Sequence, residues 1–296
     1  MDKRKIILVI PYRGIGDLIF HIPLIRGLYK KYKSKIIIVT NSANKAKFIL
    51  HRETSIKKIF YINFNREDQL KNSYLFLKKI NKFKADLCVL TAPSKRLVIP
   101  LLMTNVKKKI FFKKNKIKDL SKYIINQSIN EFPNIKFKKK YDLLSKEKKI
   151  KNHNIFLSID SHHDQNNWEE DNFINLIKNL FKKRNINKIF INFSPNKIKK
   201  FNNIYKKFKR EKKIIFTYNK KFKDIIEIIK NCSIIIGNES GPACLGASFG
   251  KNVLSIYNPK HTPNLSSKTI NKKIIYFNSK KIKPEIITKK ITKKII

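Results

Sequence analysis

The seven glycines of this 296-residue chain lie in two short stretches, 14–27 and 237–250, and nowhere else. Glycine is irreplaceable only where the backbone needs positive φ or where another group must approach it closely. A chain that otherwise does without it marks the places where such geometry is required. Both stretches, PYRGIGDLIFHIPLIRGL (11–28) and IIIGNESGPACLGASFGKNVLSIYNP (234–259), follow an apolar, β-rich run and lead into helical spacing. Strand, glycine-bearing loop and helix in that order is the layout of a phosphate- or nucleotide-facing loop in an α/β protein.

The rest of the chain fits that class. Short β-branched runs at 5–10, 35–40, 58–62, 86–90 and 108–112 form one series, and runs at 154–159, 188–193, 213–217, 233–237, 252–256 and 273–277 form a second. Between them apolar residues recur at helical spacing: Leu18, Ile22, Ile25, Leu28 and Tyr32; Phe173, Leu176, Ile177, Leu180 and Phe181; Phe222, Ile225, Ile226 and Ile229. Strands that are continuously apolar rather than alternating belong to parallel sheets covered on both faces. The expectation is two Rossmann-like, doubly wound domains, 1–145 and 151–296, facing across a cleft, with the Lys-rich stretch 133–153 as linker. Ligand loops then fall at the C-terminal edges of the two sheets.

Charge narrows the partners. Sixty-eight Lys and Arg against 20 Asp and Glu give a net charge of +48, but only eight of the basic residues are Arg, and the lysines are spread almost evenly. Sequence-reading nucleic-acid proteins lean on the bidentate fork of Arg, and no RNA- or DNA-binding signature is present. The charge is read as compositional: solvated lysines on every surface, a general attraction to polyanions such as an anionic membrane, and no specific nucleic acid. Three cysteines, Cys88, Cys232 and Cys244, form no disulfide framework. The apolar part of MDKRKIILVIPYRG is too short for a secretory signal, and no stretch approaches bilayer-spanning length. A cytoplasmic protein, in contact with the inner face of the membrane at most, is expected.

The first loop begins like a dinucleotide fingerprint and then departs from it. Ile19 stands where the third glycine belongs, and the following strand ends in Thr40-Asn41 without an acid for a ribose. What remains is a turn, Gly14 and Gly16, presenting Asp17 at the start of a helix. Asp17 reads either as an N-cap, worth about 1 kcal/mol, or as a carboxylate available as general base. His21, one turn on, is placed to orient that carboxylate or to serve structure alone. In the second loop, Asn238-Glu239-Ser240-Gly241-Pro242 ends a strand and opens a helix, with Ser240 or Asn238 as cap and Pro242 in the first turn. Its N–H groups and the helix dipole make an anion site. No Asp-x-Asp pair offers a metal bridge to a diphosphate, and His162-His163-Asp164 reads as a polar loop; neither metal nor cofactor is expected.

Taken together, Gly16, Asp17 and Pro23, then Gly-Asn-acid-Ser-Gly-Pro with Ala247 beyond it, then Tyr257 and Pro259, resemble the ADP-heptose:lipopolysaccharide heptosyltransferases, glycosyltransferase family 9. The stretch from Ser158 to Trp168, followed by Glu169 to Phe173, is similar to that family's Lys-x-Trp-Pro segment. The resemblance implies the GT-B fold and a metal-independent, inverting transfer of a sugar from a nucleotide-sugar to a glycolipid acceptor. Asp17 would be the catalytic base. Asn238, Glu239, Ser240, Gly241, Pro242, Cys244, Asn166 and Ser194 would bind the donor, with Arg13, Lys197 and Lys260 as cationic support. This sequence departs from the family pattern at Glu239 (Asp), Ser240 (Thr), Cys244 (His) and Asn166 (Lys), changes that bear on the donor more than on the chemistry. The alternatives are a catalytically weakened member that binds sugar nucleotides or glycans, and, on charge alone, a basic nucleic-acid-binding protein.

Overall fold

The computed structural model describes residues 4–63, 69–113, 119–143, 153–161, 168–258, 270 and 273–295. The chain forms two compact units, Met1–Leu143 and Leu144–Ile296.

In the first unit the strands are β1 (Ile6–Ile10), β2 (Ile36–Thr40), β3 (Ile56–Tyr61), β4 (Leu87–Leu90) and β5 (Lys108–Phe111). The helices are α1 (Ile15–Phe20), α2 (Ile22–Tyr32), α3 (Ala46–Ile49), α4 (Gln69–Lys82), α5 (Lys95–Leu102) and α6 (Leu120–Glu131). Every pairing is parallel, in the order β3-β2-β1-β4-β5. The central strands β1, β2 and β4 are buried along their whole length, whereas the edge strands β3 and β5 are partly exposed. Continuous apolar runs form the centre because both faces are covered by helices.

The second unit contains β6 (His153–Ser158), α7 (Glu170–Phe181), β7 (Ile186–Asn192), α8 (Asn202–Phe208), β8 (Ile214–Phe216), α9 (Phe222–Lys230), β9 (Ile234–Asn238), α10 (Gly241–Ser248), β10 (Asn252–Tyr257), β11 (Ile274–Asn278) and α11 (Pro284–Ile295). The sheet is again parallel throughout, ordered β11-β10-β9-β6-β7-β8. Both sheets are doubly wound, as expected. In each, the strand order reverses beside the first strand, between β1 and β4 and between β6 and β9. Ligands of open α/β sheets bind at that point.

Two expectations are corrected. The helical face running from Leu18 to Tyr32 is two helices, broken at His21, with Pro23 in the first turn of α2. The Lys-rich stretch from 133 is no free linker up to residue 143. Ile135 and Tyr141 are buried among the lysines, and the Tyr141 hydroxyl lies 2.7 Å from that of Ser121. The Arg26 guanidinium donates to the carbonyls of Lys140 and Asp142 at 3.1 and 2.8 Å.

Candidate functional site

In the first unit, residues 11–14 leave the C-terminal end of β1 and are braced from β2. Thr40 Oγ1 donates to the Ile10 carbonyl at 2.6 Å, and the fully buried Asn44 donates to the Tyr12 carbonyl at 3.1 Å. Thr40, where the dinucleotide pattern fails, and Asn44 therefore help position the loop, while the Asn41 side chain accepts the Ala43 N–H at 2.9 Å. Gly14, not Asp17, occupies the cap position of α1. Asp17 is the third helical residue, and its carboxylate reaches back to accept the Gly14 N–H at 3.2 Å. A Cβ on Gly14 would lie 2.6 Å from Asp17 Oδ2, so glycine here makes room for the carboxylate. Burial raises the Asp17 carboxyl above the ordinary carboxylate range, opposed by the Gly14 N–H. The result is a half-buried carboxylate of increased basicity, held at the switch point of the sheet. Gly16 lies within the same turn, half-buried, and Arg13 is exposed beside it.

His21 holds the peptide of Asp17, not its carboxylate. Its Nδ1 is 2.7 Å from the Asp17 carbonyl, and its Nε2 is 3.0 Å from Thr91 Oγ1 at the end of β4. The ring is fully buried and desolvation pushes its pKa down to about 4, so it is neutral. One proton must then serve two contacts. Asp17 O can only accept, so Nδ1–H donates to it, and the Thr91 hydroxyl donates to Nε2. Thr91 Oγ1 also lies 3.1 Å from the Val9 carbonyl, which accepts the Thr91 N–H at 3.2 Å; the one hydroxyl proton goes to Nε2, whose lone pair would otherwise face those of the hydroxyl oxygen. His21 thus links α1 to β4. Tyr12 packs tilted on His21 with ring centroids 5.4 Å apart, and its buried hydroxyl has no hydrogen-bond partner among the described residues. Burial raises the Tyr12 phenol, and the charges of Tyr123 and Asp17 raise it further.

In the second unit, Gly237 is the glycine the geometry cannot spare. Its φ is +149°, and a Cβ there would lie 1.9 Å from the Ser158 carbonyl oxygen of β6. That close approach brings the ends of β6 and β9 together. Asn238, the last residue of β9, is fully buried; its Oδ1 accepts the Trp168 N–H at 2.8 Å and its Nδ2 donates to the Ile159 carbonyl at 2.7 Å. The side chain expected at the donor thus fastens the loops around it. Ser240 stands at the cap position of α10 but makes no capping bond; its hydroxyl lies 3.0 Å from that of Ser158. Glu239, Gly241 and Pro242 are half-buried, and Cys244 is buried one turn into α10. The first intrahelical bond runs from Cys244 N to Ser240 O. Gly241 and Ala243 N–H therefore precede the helical ladder, and Pro242 has no N–H to give. Gly246 makes room for a strand, since its Cβ would lie 2.5 Å from Ile235.

A second cluster at the same edge was not legible beforehand. Asp160, buried just beyond β6, accepts from Ser194 N at 3.2 Å, Ser194 Oγ at 2.6 Å and Lys197 Nζ at 2.7 Å. Lys197 also donates to the Ser161 carbonyl at 2.9 Å. Asp160 pairs with the Lys197 charge at 2.7 Å, and Ser194, expected at the donor, belongs to the same cluster. The Trp168 indole N–H, in a side chain only 2 % exposed, has no partner among the described residues. Asn166, Lys260, Pro259, His162, His163 and Asp164 lie outside the described residues. Among those described, no three His, Cys, Asp or Glu side chains gather as a metal set.

Two doubly wound parallel-sheet units, each with a glycine-bearing turn at its switch point, define the GT-B class of α/β protein. The family model "Glycosyltransferase family 9 (heptosyltransferase)" matches residues 103–295, and the chain belongs to that family. Among solved structures it is similar to E. coli ADP-heptose lps heptosyltransferase II, with TM-score 0.77 and 12 % identity over 98 % of each chain. The glycosyl transferase family 9 protein from Veillonella parvula matches with TM-score 0.74 and 15 % identity over 100 % of this chain and 98 % of that one. E. coli heptosyltransferase WaaC with ADP matches with TM-score 0.73 and 10 % identity over 98 % and 99 %. No curated protein matches by sequence.

Proposed function

We propose that the protein is an inverting glycosyltransferase that moves a sugar, heptose from ADP-heptose, onto a lipopolysaccharide-core or related glycolipid acceptor without a metal. The observation that carries this reading is the Asp17 carboxylate, held at the end of β1 by Gly14 and made more basic by burial. The acceptor hydroxyl gives its proton to Asp17 as its oxygen bonds to the anomeric carbon; the bond from that carbon to the diphosphate breaks, and the nucleoside diphosphate leaves with the electron pair. Residues 1–143 take the acceptor and 144–296 the donor.

The turn 238–242 stabilises the departing diphosphate through main-chain N–H groups at the start of α10. Glu239 binds sugar hydroxyls, Cys244 and Asn166 replace family side chains near the donor, and Arg13 and Lys260 supply positive charge. The donor class is supported by WaaC, whose structures are described with ADP and with ADP-2-deoxy-2-fluoro heptose. The protein works in the cytoplasm, touching the anionic face of the membrane that carries its acceptor; among the described residues no helix is long and apolar enough to cross it.

Calorimetric titration with a panel of sugar nucleotides and nucleoside diphosphates tests the donor site. ADP and ADP-heptose should bind, and Gly241→Val should weaken them at least about tenfold by crowding the phosphate with a branched side chain. Undiminished binding by Gly241→Val would make the turn structural. Donor binding without donor hydrolysis or transfer would favour the weakened, binding-only member.

A further inference from the structure

Nine large hydrophobic side chains are exposed among the described residues, and six of them lie on α4, α5 and the residue that caps α5. The most exposed are Leu70 (87 %), Met103 (67 %), Tyr74 (62 %), Leu102 (58 %) and Ile99 (57 %). They are not scattered. Leu70 and Tyr74 are one turn apart on α4, and Leu102 and the cap residue Met103 lie three and four residues beyond Ile99 at the end of α5. The two helices pack side by side. Ser73 Oγ donates to the Arg96 carbonyl at 3.4 Å near one end, and Asn105 N donates to Asn81 Oδ1 at 2.8 Å near the other, so the helices run in the same direction.

Neither helix contains an acid. Exposed Lys71, Lys78 and Lys95 and half-buried Arg96 flank the apolar residues. Glu67 and Asp68, just ahead of α4, lie outside the described residues. An apolar face rimmed by cations matches the headgroup and upper acyl region of an anionic bilayer: side chains enter the apolar boundary while lysines meet the headgroups. It fits a second copy of this chain poorly, because a two-fold contact sets each rim lysine near lysines of the same rim.

We infer that the α4–α5 face of the first unit is a membrane-docking surface that inserts Ile99, Leu102 and Met103 into anionic lipid. The inference deepens, and rests on, the reading that the acceptor is a glycolipid, and it gives the chain's positive charge a local anchor. Electrostatics alone would hold a protein of charge +48 anywhere on an anionic surface; the apolar face selects one orientation.

The experiment uses the full chain and vesicles of phosphatidylglycerol with phosphatidylethanolamine, with phosphatidylcholine vesicles as control. The native cysteines are all buried, so an environment-sensitive fluorophore can be placed selectively at Met103→Cys, or at Lys223→Cys in the second unit. Emission from position 103 should shift to the blue on anionic vesicles, and emission from position 223 should not. The triple variant Ile99→Ser/Leu102→Ser/Met103→Ser should lose at least about tenfold in vesicle partitioning while keeping wild-type circular dichroism and nucleoside diphosphate binding. Three results would overturn the inference: equal partitioning of the triple variant, equal shifts at both labels, or a shift at position 103 that follows protein concentration without lipid. Absence of wild-type vesicle binding would instead remove the membrane reading as a whole, and loss of transfer to a water-soluble acceptor fragment would bear on the catalytic reading alone.

Discussion

Replacing Gly237 by alanine places one methyl group at the closest approach of β6 and β9. The backbone φ of +149° is a region side chains rarely adopt, at a cost of roughly 1–3 kcal/mol. The new carbon would stand 1.9 Å from the Ser158 carbonyl oxygen, 2.6 Å from its carbon and 2.9 Å from its nitrogen. All three are backbone atoms in the middle of a sheet, so no side chain can turn aside, and β6 must move by about 1.5 Å to restore ordinary contact. Such a shift strains the ladder where Ser158 pairs with Gly237, the Ser158–Ser240 hydroxyl contact and the Asn238–Ile159 bond. Two hydrogen bonds weakened at about 1 kcal/mol each, added to the backbone term, give a loss of roughly 3–5 kcal/mol. Urea denaturation followed by circular dichroism would measure it, with calorimetry of nucleoside diphosphate binding on the folded fraction. A loss below about 1 kcal/mol with unchanged binding would refute the claim that this glycine sets the spacing at the second switch point.

His21 makes stability depend on pH. Its folded-state pKa, about 4, lies below the ordinary 6.5, so the unfolded chain binds the extra proton first. Stability should be at its full value above about pH 6.5 and fall by about 3 kcal/mol as pH drops towards 4; a His21→Gln variant should lack that component, and an identical pH slope in the variant would sink the assignment. Asp160→Ala should destabilise the second unit by about 3 kcal/mol, because Lys197 and Ser194 lose a buried partner. Adding Lys197→Met should recover part of that loss, and full additivity of the two changes would show that the pair is not coupled.

Much of the fold is legible in the sequence because a strand buried on both faces must be largely apolar: β1 and β4 are so at every position, and β2 and β9 depart from it only at their C-terminal ends, in Thr40 and in Gly237-Asn238. All eleven β-rich runs become strands, with ends displaced by one or two residues. The glycine stretches mark the two switch points for a physical reason: Gly14 clears space for Asp17, and Gly237 lets two strands approach. Side-chain roles at the sites are less legible. The His21–Thr91, Ser158–Ser240 and Asn238–Ile159 contacts join residues 70, 82 and 79 positions apart. No local spacing encodes such pairs, so the bonds by which Asn238 braces the loops from Trp168 and Ile159 are invisible in the sequence. Asp160 stands in a short polar run and acquires its role only when Ser194 and Lys197 are folded against it. The stretch 133–143 misreads as linker because its few anchoring side chains are diluted by lysine.

The most direct test compares turnover and donor binding in Asp17→Asn. Asparagine keeps the size of the side chain and an oxygen to accept the Gly14 N–H, so α1 should remain intact and nucleoside diphosphate binding unchanged. It cannot take a proton, so sugar transfer should fall by roughly 10²–10⁴. In the wild type, transfer should rise with pH as the Asp17 carboxyl ionises, along an acid limb displaced above the ordinary carboxylate range, and that limb should vanish from any residual activity of the variant. Asp17→Asn turning over within a few-fold of wild type, with the acid limb unchanged, would contradict the account.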